Sequence, residues 1–255
     1  MESSLYDEYV SIEDTHWWFR GRREIIATLL RPHMRSPARI IDIGSGGGAV
    51  AQALLEFGSV TACDIDVRCA ASVARRAGMS FAYGTAEAVP FADGSFDLVT
   101  AFDVLEHLDD DVKALREMAR VARPAGLVAV TVPAYRWMWG RQDEISHHRR
   151  RYTGRSLRQA ITDAGLIPRR LTAFNTILFP GIAAVRITRR VAKRLAGGGR
   201  SSDLSELKSD FSMTKPGLFN NLMAATFSAE AAALRFVDLP VGVSLLALAE
   251  PPGGH

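Results

Sequence analysis

"IIDIGSGGGAV", residues 40–50, decides how the rest of the chain is read. A short apolar run carrying Asp42 meets a glycine-rich turn, Gly44 to Gly48, and then the start of a helix at Ala49. Glycines there let the backbone approach a ligand closely, and the helix N-terminus offers it unpaired N–H groups. The stretch predicts the first strand and first helix of an α/β sheet, with a ligand loop between them.

Outward from this stretch, strand and helix patterns alternate, as in a parallel sheet. The spacing predicts strands over 38–44, 59–66, 79–84, 95–103, 127–133 and 166–174. It predicts helices over 48–58, 67–78, 109–126 and 153–165, the last with Thr153 as N-cap and Gly165 as stop. Residues 174–240 read as helical, and a final strand falls at 242–250. The expectation is one domain: a core of 37–173 and 241–250, a helical lid of 1–36 and a helical insertion of 174–240.

A chain of 255 residues, 47 % hydrophobic and 23 % charged, can bury a full core without staples. Cys63 and Cys69 match no zinc or redox spacing and suit a reducing compartment. No leader pattern and no run of about 18 apolar residues is visible, so a cytoplasmic protein is expected. The formal net charge of +3 hides an asymmetry: residues 136–200 hold 15 basic and 3 acidic side chains, a net of +12. Such a segment is expected to meet something anionic.

Gly44, Gly46 and Ala49 satisfy a dinucleotide-binding pattern, and Asp64 stands 20 residues after Gly44, where an acid reaches ribose hydroxyls. A nicotinamide oxidoreductase is therefore one reading. Asp42 opposes it, because an acid two residues before the first glycine repels a pyrophosphate and tolerates a cationic ligand. S-adenosylmethionine (SAM) carries a sulfonium and an ammonium and no phosphate.

The motifs "IIDIGSGGG", "TACDID", "YGTAEAVPFADGSFDLVTAFDVLEHLDD" and "LREMARVARPAGLVAVTVP" span about residues 38–133. In this order and spacing the chain resembles the class I SAM-dependent methyltransferases of the type 11 group. The resemblance implies a Rossmann-like, seven-stranded, mostly parallel sheet whose last strand is antiparallel. It implies that Asp42, Gly44, Ser45 and Gly46 hold the methionine part of SAM. By the same likeness Asp64 takes the ribose and Ile65 packs on the adenine. Thr85 and Ala86 would reach the adenine edge, and Phe102 and Asp103 would lie under the sulfur. Relatives commonly carry aspartate where this chain has Thr85. Segments around "HWWF" (16–19), "SHHRRRYTG" (146–154) and 220–250 resemble a subgroup associated with bacterial polysaccharide, lipid-carrier or secondary-metabolite pathways. A SAM-binding protein without activity is a third reading.

Methyl transfer from a sulfonium is an in-line displacement that needs a positioned acceptor and, for a protonated one, a base. His148 is the first choice for that base, His147 the second, and His107, after the fourth strand, a third. Glu106 reads as structural. Trp17, Trp18, Tyr135 and Trp139 are expected to line an acceptor pocket, and Arg150 and Arg151 to anchor an anionic group bidentately. An alternative pairs an arginine with Asp143 or Glu144, ordering the loop. No metal is expected, since adjacent histidines at 147 and 148 point apart, and no nucleic-acid module is present. The acceptor is expected to be a small or lipid-linked molecule. Arg186, Arg189, Arg190, Lys193 and Arg194 fall on one helical face, with Ile187, Val191 and Leu195 on another, a pattern that suits an anionic membrane surface. The competing expectation packs the apolar stripe on the core.

Overall fold

A computed structural model of the chain describes residues 3–35, 37–195 and 217–253. Seven strands form one sheet: β1 Ala38–Ile43, β2 Gly58–Asp64, β3 Met79–Tyr83, β4 Phe96–Phe102, β5 Ala122–Pro133, β6 Ile167–Phe174 and β7 Ser244–Glu250. Their order is β3-β2-β1-β4-β5-β7-β6. The pairs from β3 to β5 are parallel, and β7 runs antiparallel to both neighbours. β1 is buried at all but one position, so it reads as a nearly continuous apolar run, the pattern of a strand covered on both faces.

The direction of β7 follows from where the chain leaves and re-enters the sheet. Ser244 opens β7 opposite both Pro133 and Phe174, the last residues of β5 and β6. The connection after β6 thus begins and ends at the same edge. A strand entering there can only run back, antiparallel.

Helices cover both faces. They are α1 Ser3–Ile12, α2 Trp17–Leu30, α3 Ala49–Leu54, α4 Arg68–Ala74, α5 Asp111–Val121, α6 Arg141–Ile145, α7 Gly154–Asp163, α8 Phe179–Leu195 and α9 Leu218–Leu234. α5 starts where the Asp110 carboxylate accepts from the Lys113 N–H at 2.8 Å. It buries Asp111, Ala114, Leu115, Met118 and Val121, one face at helical spacing. Thr153 and Ser156 cap α7 reciprocally.

One boundary and one helix face depart from the sequence reading. α5 stops at Val121, and "ARPAG" belongs to β5, because Ala122 already pairs with Phe96 across a bulge. On α8, Arg186 is the one residue of the expected basic face whose side chain is among the described residues. Arg186 turns inward against Gly140, where an added Cβ would fall 1.7 Å from its Nη1. Val185, Ile187 and Val191 are exposed, so the apolar stripe is not on the core. The side chains of Arg189, Arg190, Lys193, Arg194 and Leu195 lie outside the described residues. No helix among the described residues is long and apolar enough to cross a membrane.

α2 and α9 join the two additions to the sheet. Phe227 of α9 is buried against Trp17 and Trp18, with ring centroids 5.6 and 5.7 Å away. It packs so close to Gly21 that a Cβ there would meet its ring at 2.3 Å. The Trp17 N–H donates to Asn220 at 2.8 Å, and the Asn220 amide donates to the Thr15 carbonyl at 3.0 Å. Phe227→Ala empties the centre of this joint. The expected cost is about 3–5 kcal/mol of unfolding free energy, read as a lowered urea midpoint with unchanged slope.

Candidate functional site

The strand order reverses between β1 and β4, and in open α/β sheets ligands bind beyond the carboxyl ends of the strands at such a point. Here the loop after β1 and the loop after β4 flank one cavity of about 620 Å³. Its floor is Gly44, Ser45, Gly46, Asp64, Phe102 and Asp103. α1 and α2 form its roof through Tyr9, Glu13, Trp17, Trp18, Phe19 and Arg22. Its far end is Glu106, His107, His148 and Arg151, with Asn175, Ile182 and Arg186 beside them.

At the floor, Gly44, Gly46 and Gly48 have φ of 70°, 55° and 87°, the left-handed region in which a side chain is strained. A Cβ on Gly46 would meet nothing within 4 Å, so this side of the loop is open. The Asp64 carboxylate accepts from the Gly46 and Asp66 N–H groups, each at 2.9 Å. The buried Ser45 hydroxyl has no hydrogen-bond partner. An open glycine cradle, a carboxylate edge and an orphaned hydroxyl fit a ligand that joins an amino acid to a nucleoside. The expected holders Gly44, Ser45, Gly46, Asp64, Phe102 and Asp103 are brought together. Asp42 is one layer behind them, 2 % exposed, and accepts from the Thr100 hydroxyl at 2.7 Å. Ile65, Thr85 and Ala86 stand on the loops after β2 and β3, outside the cavity wall, with Ile65 exposed.

The roof realises both readings of "HWWF". Trp17 and Trp18 line the cavity and also pack on Phe227, while Trp18 stacks on Phe174 at 6.3 Å. His16 caps α2 by accepting from the Trp18 N–H. Arg76 straps roof to floor: it donates to the Gly47 carbonyl at 2.9 Å and pairs with Glu13 and Asp14 at 2.7 and 2.8 Å.

The far end is organised by Asp143, which is fully buried. Its carboxylate takes the His148 Nδ1 at 2.9 Å, Arg151 through Nε and an Nη at 2.7 and 3.0 Å, and the Gly140 N–H at 2.8 Å. Burial opposes its ionisation, but the bonds from His148 and Arg151 outweigh burial and hold its carboxyl down to about 2. His148 is thereby turned with Nε2 toward Glu106, 4.0 Å from Oε1. Glu106 is 0 % exposed and neither of its oxygens has a hydrogen-bond partner. Burial, with Asp103 adding, raises its carboxyl well above the usual range. Burial pushes His107 down to about 4.

Several expectations are corrected here. His147 is exposed at the end of α6 with φ of 54° and does not line the cavity. Arg150 does not line the cavity: it pairs with Asp111 at 2.9 Å and donates to the Leu108 and Asp109 carbonyls. Arg149 likewise donates to the His107 carbonyl at 2.9 Å and pairs with Asp109. Arg151 reaches the wall, but its guanidinium is bound to Asp143 and the Ala134 carbonyl. Arg149 and Arg150 staple the 146–152 segment to residues 107–111 after β4, and Arg151 pairs with Asp143, the one contact that the ion-pairing alternative expected. Tyr135 and Trp139 are also absent from the wall. Tyr135 instead stacks on Trp137 at 6.0 Å and meets Phe179 edge-on.

Three residues of the wall were missed. Glu106 was read as structural. Asn175 follows β6, is 1 % exposed, and has neither side-chain N nor O paired; its place at a carboxyl edge was the available signal. Arg22 pairs with Asp103 across the roof, a contact between segments 81 residues apart that no local pattern announces.

Residues 41–130 match the sequence model of the family described as "Methyltransferase domain". A norajmaline N-methyltransferase of Rauvolfia serpentina is 34 % identical over 111 residues, 40 % of this chain and 38 % of that one. A demethylmenaquinone methyltransferase of Beutenbergia cavernae is 38 % identical over 106 residues, 41 % and 44 % of the two chains. The chain therefore spans less than half the length of these curated relatives. Among solved structures, a phosphoethanolamine N-methyltransferase 2 of Haemonchus contortus in complex with SAM superposes with a TM-score of 0.54 at 18 % identity. That match covers 89 % of this chain and 52 % of that one, and it bears on the fold.

Asp42 offers a test of how the floor is built. Burial pushes its carboxyl up to about 7, against a usual value of 3.8. The folded state thus binds a proton that the unfolded chain releases near pH 4. The contribution of Asp42 to stability is therefore largest below that pH and is lost as pH rises through about 7. Asp42→Asn keeps an acceptor for Thr100 and removes the charge. In the ligand-free protein its melting temperature is expected to exceed that of wild type by a few degrees at pH 8, with the gap closing by pH 4.

Proposed function

The chain carries a class I SAM-dependent methyltransferase domain of the type 11 group, and from that premise we propose that it methylates a small or lipid-linked acceptor bound in this cavity. One observation supports this most: a single cavity runs from the glycine cradle to the Glu106–His107–His148 end, under one roof. SAM, when bound, supplies an electrophilic methyl group on its sulfonium.

The chain's own groups supply the rest. Asp64, the Ser45 hydroxyl and the open side of the glycine loop at Gly46 hold the cofactor at the floor, and Asp103, tied by Arg22 and the Thr131 hydroxyl, sets the end of β4. Trp17, Trp18 and Phe19 exclude water from above, which strengthens every polar contact inside. The wall is mostly apolar, with Ile182, Pro133 and Val243 near the far end. That lining suits an acceptor with an apolar body and one polar head. α1, α2 and the start of α8 make the roof and side of its pocket. α8 passes from the cavity, at Ile182 and Arg186, to exposed Val185 and Ile187, an exit for a lipid tail. His148, oriented by Asp143, presents the Nε2 lone pair we assign to the acceptor's nucleophilic end.

Two variants divide the cavity. Asp64→Ala removes the carboxylate that binds the Gly46 N–H and is assigned to the ribose. SAM affinity is expected to fall about 10–100-fold by calorimetry, the weight of one or two charge-assisted hydrogen bonds. His148→Ala should leave SAM affinity near wild type and lower methyl transfer from labelled SAM to an amphipathic acceptor panel by about 10²–10⁴-fold. Tight NAD(H) binding without SAM binding would overturn the reading, and unchanged turnover in His148→Ala would remove the assignment of that histidine.

A further inference from the structure

We propose that Glu106, His107 and His148 bind one divalent first-row transition-metal ion at the acceptor end of the cavity. One donor atom from each lies within 4.8 Å of the other two. The His107 and His148 rings meet edge to face, 4.7 Å apart. His148 Nε2 and Glu106 Oε1 are 4.0 Å apart, beyond hydrogen-bond range. Donors each about 2.1 Å from a shared ion stand roughly 3–4 Å apart, so a small inward turn of the side chains closes the set.

Glu106 is the reason to look for an ion. A fully buried carboxylate ordinarily gathers several donors, and this one has none on either oxygen. The nearby arginines are bonded elsewhere: Arg22 to Asp103, Arg150 to Asp111 and Arg151 to Asp143. Among the described residues no side chain donates to the charge that Glu106 would carry. A dication placed between it and the two imidazoles would.

The surroundings of the histidines have the form that metal ligands take. A ligating imidazole usually donates its second nitrogen to a carboxylate or a backbone carbonyl, which fixes the tautomer and ring orientation. His148 offers Nδ1 to the Asp143 carboxylate, itself fixed by Arg151 and the Gly140 N–H. The Ser146 backbone is a polar neighbour of the His107 ring. Two imidazoles and one carboxylate suit zinc, cobalt, iron or manganese better than calcium or magnesium, which favour oxygen-only sets. Three protein ligands leave an open coordination position on the cavity side. An oxygen of an acceptor fits there as the next ligand.

The Nε2 lone pair of His148 cannot serve a proton and a metal at once, so metal binding decides how that histidine acts. The site itself does not depend on the methyl acceptor, because the ion can be titrated without cofactor or acceptor.

The experiment is a titration of the full chain, stripped with chelator, by Co²⁺ alone. Expected are one bound ion per chain, visible d–d absorption of low-coordinate Co²⁺, and stoichiometric displacement by Zn²⁺, which binds such donors more tightly. Glu106→Gln and His148→Ala should each weaken Co²⁺ by more than about 100-fold. Asp143→Asn, which only positions His148, should weaken it by about 10–100-fold. His33→Ala, exposed and remote, should bind as wild type does. Glu106→Gln keeps side-chain volume and removes a buried charge, so the metal-free variant should melt no lower than wild type. Absence of saturable Co²⁺ binding by wild type overturns the proposal, and so does wild-type affinity in Glu106→Gln. SAM binding that survives either result leaves the methyltransferase reading intact.

Discussion

The structure turns on the reversal of strand order between β1 and β4. On either side of that line the crossover helices depart to opposite faces, so the carboxyl ends of these two strands stay uncovered. The glycine loop leaves from one and the Asp103–His107 loop from the other. Each later addition is fastened around this gap. α1 and α2 close it from above through Arg76 and Arg22. The connection between β6 and β7 begins and ends at its rim, which is also why β7 runs against its neighbours.

Within that frame one buried carboxylate sets the chemistry of the far end. Asp143 binds an arginine, a histidine and a backbone N–H at once, and each of those partners has a further contact. Arg151 reaches the Ala134 carbonyl at the end of β5, and His148 faces Glu106. The 146–152 segment is therefore less a ligand grip than a stapled strap. Arg149, Arg150 and Arg151 are bonded to the protein, and Tyr152 donates to Asp111 at 2.6 Å beneath them. The basicity of this segment is largely internal. It neutralises Asp109, Asp111 and Asp143 and leaves His148 as the side chain of the motif that faces the cavity with an unused lone pair.

The cavity sets two kinds of polar group side by side. Glu106 and Asn175 are buried without hydrogen-bond partners, whereas Asp143 and Asp103 are fully engaged. Buried polar groups are normally satisfied, so an orphaned pair facing one space marks where a ligand makes its contacts. Neither residue stands in a glycine motif, and both sit beyond the carboxyl end of a strand. That position carried the information, more than the residue type did.

What the sequence by itself determined was local in origin. The glycine turn after β1, the Asp64 edge after β2, the Thr153 cap and the alternation of strand and helix each follow from neighbours within a few positions. Backbone conformation and hydrophobic period are properties of short stretches, and they were legible. Which charges meet was decided only by the tertiary structure. The Arg151–Asp143 pair was one of two readings the sequence left open, while Arg150 finds its partner in Asp111, 39 residues back, only once the loops are brought together. His107 and His148, 41 residues apart, become neighbours across the same closure, while the adjacent His147 turns out to solvent. An electrostatic or ligating partner is chosen by distance in space, and sequence spacing encodes that distance only inside a single helix, strand or turn.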